Sequence, residues 1–406
     1  MFNRTRTCHS LTSLLVAATA PLAGADVITD WNTRANDFIM EAKMGTPPAV
    51  RLMAMVQTAV DESVGEITRV STTGVKVGEP LPNAAAVAAA NRAVLVRALP
   101  AQQNSIQSAY QAALAGIHDA AARDAGIAIG ERVAVAVLAA RATDGAAAPE
   151  SYRPHTTPGA YVPTVIPAVP QWASRKPWLI DSPARFRPGP PPATNSDLWA
   201  RDFNEVKTLG GRNSTARSAE QTDIARFWEF SLPAIHHRLL RSVADAPGRD
   251  LTTNARLYAV VSQAMDDALI SVMDAKYHYN FWRPITAVRN GDMDGHDGTE
   301  RDPPWMPPID TPSHPEYPCA HCILATAVGT TLKEQTDVLP GVVLSTSSPT
   351  ARDTTRRWHS VEDLMREVAN ARIYDGVHYR NSTEVGLDMG RRIGELAAAR
   401  LQQAAD

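Results

Sequence analysis

Lys276-Tyr277-His278-Tyr279-Asn280-Phe281-Trp282-Arg283-Pro284 closes the strongest helical pattern in the chain, an apolar repeat running from 250 to 282. Seven positions separate Lys276 from Arg283, two helical turns, which predicts both cations on one helix face as a two-pronged clamp for an anion. Lysine and arginine at helical spacing are usually solvated surface, so the meaning of this stretch depends on what lies beyond it.

Downstream, Pro312-Ser313-His314-Pro315-Glu316-Tyr317-Pro318-Cys319-Ala320-His321-Cys322 is a proline-punctuated loop that runs into the apolar helical pattern of Ile323 to Leu332. The loop delivers residues 319 to 321 to a helix N-terminus, where unpaired amides and the positive end of the helix dipole suit phosphate-like anions. A histidine held there, His321, is placed to pass a proton to a leaving oxygen. Further on comes Ala371-Arg372-Ile373-Tyr374-Asp375-Gly376-Val377-His378-Tyr379-Arg380. Its Asp375-Gly376 pair reads as a turn between two helices, aiming Arg372 and His378 at one point.

Upstream, Ala-rich stretches carry apolar residues at helical spacing: Val50, Met53, Ala54 and Val60, then Val87, Val94, Val96 and Leu99, then Ile127, Val133, Val137 and Leu138. Pro80-Leu81-Pro82 and Leu99-Pro100 interrupt them, leaving the short links of a bundle. Between Pro154 and Pro192 prolines are dense and no period survives. Trp172, Trp178 and Phe186 argue that this connection lies against protein, because free linkers are poor in aromatics. Helical pattern returns from about Thr215 through Phe227, Trp228 and Leu232, and a second proline cluster spans Pro303 to Pro318. Helices are then predicted from about His321 to Glu334, Ser360 to Tyr374 and Ser382 to Leu401, with one short strand pattern at Val338 to Leu344. The expected architecture is all-α. It has an N-terminal helical half at 26–150, a proline-rich connection at 151–200, and a C-terminal helical half at 201–406 that holds the chemistry.

The 406 residues, 44% hydrophobic and 20% charged, have ample core for a globular fold. Lys+Arg at 40 against Asp+Glu at 43, with no basic tract, gives no footprint for nucleic acid. Arg4 and Arg6 precede an apolar run from Leu11 to Leu22 and the small residues Ala23-Gly24-Ala25, the pattern of a signal peptide at 1–25. A secreted or periplasmic location is expected. Its removal takes Arg4, Arg6 and Cys8, moves the net charge from -3 to -5, and leaves Cys319 and Cys322 as the remaining cysteines. No later segment offers an apolar run long enough for a transmembrane span.

Taken together, the three polar segments resemble the signature of the type 2 phosphatidic acid phosphatase and vanadium haloperoxidase superfamily: K-x6-R-P, P-S-G-H and S-R-x5-H-x3-D. The matching residues are Lys276, Arg283 and Pro284, then Pro318 and His321, then Arg372 and His378, in order and at the right internal spacings. Phe281-Trp282-Arg283-Pro284 and the absence of a span look more like the haloperoxidase branch than the membrane-embedded lipid phosphatases. The resemblance implies two helical bundles and a pocket in which Lys276, Arg283 and Arg372 hold the oxygens of an oxyanion, a task suited to planar guanidiniums. It implies cofactor contacts from Cys319 and Ala320 as well. His378 is the implied metal ligand of vanadate, and His321 the general acid–base. Such enzymes use peroxide to oxidise a halide, the metal serving as Lewis acid. The runner-up is a vanadium-free acid phosphatase that cleaves soluble phosphate monoesters through phospho-His378. A third reading is a non-catalytic oxyanion-binding or redox-sensing relative.

Three departures from the signature stand out. Cys319 and Ala320 replace its serine and glycine, and Ser382 replaces the aspartate that orients the histidine, with Asn381 and Glu384 as neighbouring candidates to supply the carboxylate or amide. Cys319-Ala320-His321-Cys322 also reads as a thiol–disulfide motif, as half of a zinc site, or as two small buried thiols. Asn290-Gly291-Asp292-Met293-Asp294-Gly295 opens like a calcium loop, but Arg301 stands where a bidentate glutamate belongs, so a polar surface loop is expected. His236, His237 and His314 are read as satisfied or solvated, and pairing with the cationic cluster is one candidate role for Asp266 and Asp267.

Overall fold

In the computed structural model, residues 26–72, 81–337, 339 and 341–403 are described. The signal-peptide segment 1–25 with Cys8, together with Pro80 and Val338, lies outside them. The first half is five helices: α1 (Val27–Glu41), α2 (Thr46–Thr72), α3 (Leu81–Ala98), α4 (Gln103–Ala115) and α5 (Ala120–Arg141). Asp26 and Asp119 start α1 and α5 as N-caps, their carboxylates accepting the free amides of Thr29 and Ala122. After the connection come α6 (Asp197–Leu209), α7 (Ala219–Glu229), α8 (Pro233–Ala244), α9 (Leu251–Tyr279), α10 (Pro284–Arg289), α11 (Ala320–Asp337), α12 (Val361–Tyr374) and α13 (Arg380–Gln402). The all-α expectation holds.

The two halves share one core. A continuous buried cluster takes Ile39, Val56, Val94 and Val137 from the first and Leu269, Ile323, Val368 and Ile393 from the second. At its centre lies α9, buried on every side from Ala264 to Lys276, which explains why its apolar pattern is the densest in the chain.

Strand pairing is confined, among the described residues, to the hairpin β1 (Leu344–Ser348) and β2 (Thr354–Trp358), with Thr346 opposite Arg356, and to a bridge between Ala160 and Phe281. The expected strand at Val338 to Leu344 is therefore displaced: β1 begins where it was to end. Its partner escaped notice because Thr-Thr-Arg-Arg-Trp offers no apolar alternation and is largely exposed.

The connection does lie on protein, and α9 holds it there with buried carboxylates. Asp267 accepts the backbone amides of Trp178, Leu179 and Ile180. Asp266 receives both Arg175 terminal nitrogens, at 2.7 and 3.1 Å, and the Trp178 indole at 2.8 Å. Arg175 reaches Asp144 as well. The expectation that Asp266 and Asp267 serve the cationic cluster is thus corrected: their hydrogen-bonding capacity is spent on the connection. Burial pushes Asp267 up to about 7 even against its three amide donors. Arg175→Ala strands Asp266 in the interior without its counter-charge, while Asp144 keeps Arg51. It is expected to lower stability by about 3–5 kcal/mol, the scale for breaking a buried ion pair. Urea unfolding checks this, and a loss below about 1 kcal/mol would mean that water reaches the carboxylates.

Candidate active site

The clamp begins where α9 stops. Asn280 adopts the left-handed conformation at φ 51 and returns its amide to the Lys276 carbonyl, ending the helix. Tyr161 then donates its amide to the Asn280 carbonyl, and Trp282 to that of Gly159, which draws the connection alongside residues 280–282. Arg283 is extended at φ -82, ψ 154, as a residue before proline prefers, and Pro284 opens α10. The expectation of two cations on one helix face is therefore corrected. Lys276 and Arg283 flank a helix break, and both are buried.

Arg372 sits in the last turn of α12. The Asp375-Gly376 turn follows, with the amides of Val377 and His378 both donating to the Arg372 carbonyl. Gly376 has φ +70, and a Cβ there would stand 2.2 Å from the Gly210 carbonyl oxygen, so only glycine fits this turn against the end of α6. The turn leaves Arg372 near enough to His378 to act on it electrostatically. α11 is held against α13 by a stripe of glycines: a Cβ on Gly386, Gly390 or Gly394 would come within 2.5–2.9 Å of the Cys319, Ile323 and Ala327 carbonyl oxygens. That contact, with the Cys319 amide donating to Ser382 O at 3.1 Å, fixes the start of α11 beside the start of α13.

The side chains meet in this junction. Lys276 Nζ donates to the carbonyls of Pro315 and Glu316 at 3.0 and 2.7 Å. Arg283 donates through Nε to His314 O, through one terminal nitrogen to Val377 O at 2.8 Å, and through the other to His314 Nδ1 at 2.9 Å. The first of those terminal nitrogens lies 3.4 Å from His378 Nε2. On the far side of the His378 ring, Nδ1 is 2.7 Å from Glu316 Oε1 and 3.4 Å from Ser382 Oγ. Arg372 donates to Trp228 O and, at 2.5 Å, to Asp375 Oδ2.

Three buried cations thus face two buried carboxylates, Glu316 and Asp375. Burial, reinforced by Arg283, holds Lys276 well below the usual lysine range, and burial brings Arg283 down to about 10. Burial pushes Glu316 and Asp375 each up to about 7, against the pull of the neighbouring cations. His378 is depressed by burial, then by Arg283, Lys276 and Arg372; His321 by burial, then by Arg372 and His236. Lys276, Arg283 and Arg372 outnumber Glu316 and Asp375 as formal charges, and an anion would balance them. Two buried nitrogens, Arg372 Nε and His321 Nε2, have no protein partner. Donors of this kind suit a tetrahedral oxyanion such as phosphate or vanadate.

Cys319 does not contribute a thiol. Cys319 and Cys322 form a disulfide, and both are fully buried beside Ala369. The expected side-chain contact from Cys319 to a bound group is corrected accordingly, and neither sulfur is free to ligate zinc. Ala320 opens α11, where amides of a first turn lack helical acceptors. His378 Nδ1 is met neither by Asn381, whose backbone N–H donates to Asp202, nor by Glu384, but by the Glu316 carboxylate.

Sequence reasoning missed four residues here. Glu316 carried a signal: it is the sole acidic residue between Thr311 and Cys322. Asp375 was read as a turn former and also pairs with Arg372. His314, taken as solvated or satisfied, accepts from Arg283. His236 is buried with Nδ1 lacking a partner, and stacks on Trp228, whose carbonyl holds Arg372. Trp282 proves to be packed, stacked on Trp199 at 5.7 Å, while His278 is exposed. The calcium-like loop is closed by its own contacts, Asp294 accepting from Trp199, Thr299 and the His296 amide.

Comparison with known proteins bears on the fold. Residues 256–406 match the model of the VCPO second helical-bundle domain. A vanadium chloroperoxidase of Curvularia inaequalis is 29% identical over an alignment of 167 residues, covering 33% of this chain and 27% of that protein, so the match spans only about a quarter of the relative. A crystal structure of a bacterial vanadium-dependent iodoperoxidase superposes with a TM-score of 0.75 at 24% identity, covering 93% of this chain and 96% of that one. A holo-type bacterial vanadium-dependent chloroperoxidase gives 0.71 at 18% identity, covering 89% and 93%.

Proposed function

We propose, from the match of residues 256–406 to the VCPO second helical-bundle domain and the likeness of the fold to vanadium haloperoxidases, that this protein is a vanadate-dependent peroxidase that oxidises a halide with hydrogen peroxide. The observation that carries the reading is the gathering of Lys276, Arg283 and Arg372 in one buried junction, with two unpartnered nitrogens, Arg372 Nε and His321 Nε2, among them.

Lys276, Arg283 and Arg372 bind the negative oxygens, and because each is buried, its attraction is little screened by solvent. His378 supplies the ligand nitrogen through Nε2, the atom turned toward Arg283. Amides at the start of α11, Ala320 among them, add donors. Vanadate held by these residues would supply a Lewis acid for the peroxide. The overall change, peroxide plus halide plus one proton to hypohalous acid plus water, consumes a proton. His321, whose Nε2 at the start of α11 has no protein partner, is placed to pass that proton. No helix among the described residues is long and apolar enough to cross a membrane. Export to a secreted or periplasmic location is supported by the Cys319–Cys322 disulfide, which persists in oxidising compartments.

The test is halide oxidation with peroxide, assayed with iodide and bromide on chain stripped of metal oxyanions and then given vanadate. Activity that appears only with vanadate is expected. Vanadate-inhibited hydrolysis of a chromogenic phosphate ester, without halide oxidation, would replace this reading by the phosphohistidine phosphatase. Absence of both activities would leave an oxyanion-binding relative.

A further inference from the structure

We infer that Glu316 is the positioning residue that fixes the tautomer of His378, in place of the carboxylate expected four residues after the histidine. That place holds Ser382, whose Oγ is 3.4 Å from His378 Nδ1, whereas Glu316 Oε1 reaches the same atom at 2.7 Å from a different segment of the chain. Two independent contacts agree on where the proton sits. Glu316 Oε1 already accepts the Tyr379 amide at 3.1 Å, so it acts as an acceptor and calls for a donor at Nδ1. Across the ring, the Arg283 guanidinium at 3.4 Å from Nε2 has only donors to offer, and so calls for a lone pair there. His378 therefore carries its proton on Nδ1 and turns the Nε2 lone pair toward the clamp.

Glu316 does more than orient the ring. Its backbone carbonyl accepts from Lys276 Nζ at 2.7 Å, and its own amide donates to Phe281 O at 2.9 Å. A single residue thus ties the clamp lysine, the helix break that places Arg283, and the ligand histidine into one rigid unit. Outer partners of this kind hold a metal-ligating histidine in register. The inference rests on the oxyanion reading for what Nε2 faces, but the tautomer itself is measurable without any bound group.

The experiment uses the full chain with 15N-labelled histidine, His378 being assigned by comparison with His378→Ala, and inorganic phosphate as the probe of the pocket. Long-range 15N–1H correlation is expected to show the His378 proton on Nδ1 in the unsubstituted chain. In Glu316→Ala that proton should redistribute toward Nε2, and the phosphate dissociation constant should rise by about 10–100-fold. Glu316→Ala combined with Ser382→Asp should recover both, because the second change restores a carboxylate within reach of Nδ1. A proton on Nε2 in the unsubstituted chain overturns the assignment, as does a Glu316→Ala chain unchanged in tautomer and affinity. Should Glu316→Ala fail to fold, the tautomer of the unsubstituted chain decides. An Nδ1 proton in a chain that binds neither phosphate nor vanadate would uphold the role of Glu316 while removing the oxyanion reading.

Discussion

His378→Ala is expected to reduce vanadate-dependent halide oxidation by at least about a thousandfold, the scale seen when a group acting directly on the reacting centre is deleted. The three clamp cations remain in the variant and still attract an anion. What disappears is Nε2, the proposed ligand nitrogen, whose ring contacts Arg283 and Glu316. The deletion also takes the His378 partner from Glu316 Oε1 in a buried place, the Tyr379 amide and Ser382 remaining. A concurrent loss of about 1–3 kcal/mol of stability is expected, the cost of a buried polar group deprived of its partner. Initial rates on folded protein, with unfolding followed in parallel, separate the two effects. A rate within tenfold of the unsubstituted chain would remove His378 from the chemistry.

Arg372→Ala combines a binding loss with the largest stability loss expected at the site. Arg372 is 1% exposed, and its contact to Asp375 joins two groups that water does not reach. Without the guanidinium, Asp375 is an uncompensated buried carboxyl already pushed up to about 7, and a loss of about 3–5 kcal/mol is expected. Phosphate or vanadate affinity should fall by about 10–100-fold, as for the loss of a hydrogen bond to a charged group. Arg372→Ala with Asp375→Asn discriminates the two roles: stability should largely return, because the amide needs no counter-charge, while affinity stays low. Recovery of affinity in the double variant would mean that Arg372 serves the turn and not the anion.

Much of this architecture is legible in the chain because helices announce themselves by local spacing. Lys276, Arg283, Arg372, His321 and His378 stand out for the same reason: each lies next to a helix end, proline or Asp-Gly turn visible in the sequence. What escaped is non-local. Nothing near His378 signals that its carboxylate partner lies 62 positions earlier, at Glu316. Asp266 and Asp267 show the converse error. Two carboxylates one helical stretch before Lys276 invite pairing with the cations, yet they point along another radius of α9 and are consumed by the amides and arginine of the connection. The left-handed Asn280 is a third case, since a seven-residue spacing implies one face only while the helix continues.

The disulfide at the start of α11 bears on how long such a protein lasts in service. A lone thiolate within reach of peroxide and hypohalous acid would be driven up the sulfur oxidation ladder to acids that no longer pack. Cys319 and Cys322 have each spent their thiol on the other, and the bond is shut inside the helix bundle. Closing that bond leaves no free thiol at the start of α11 for such oxidants to attack.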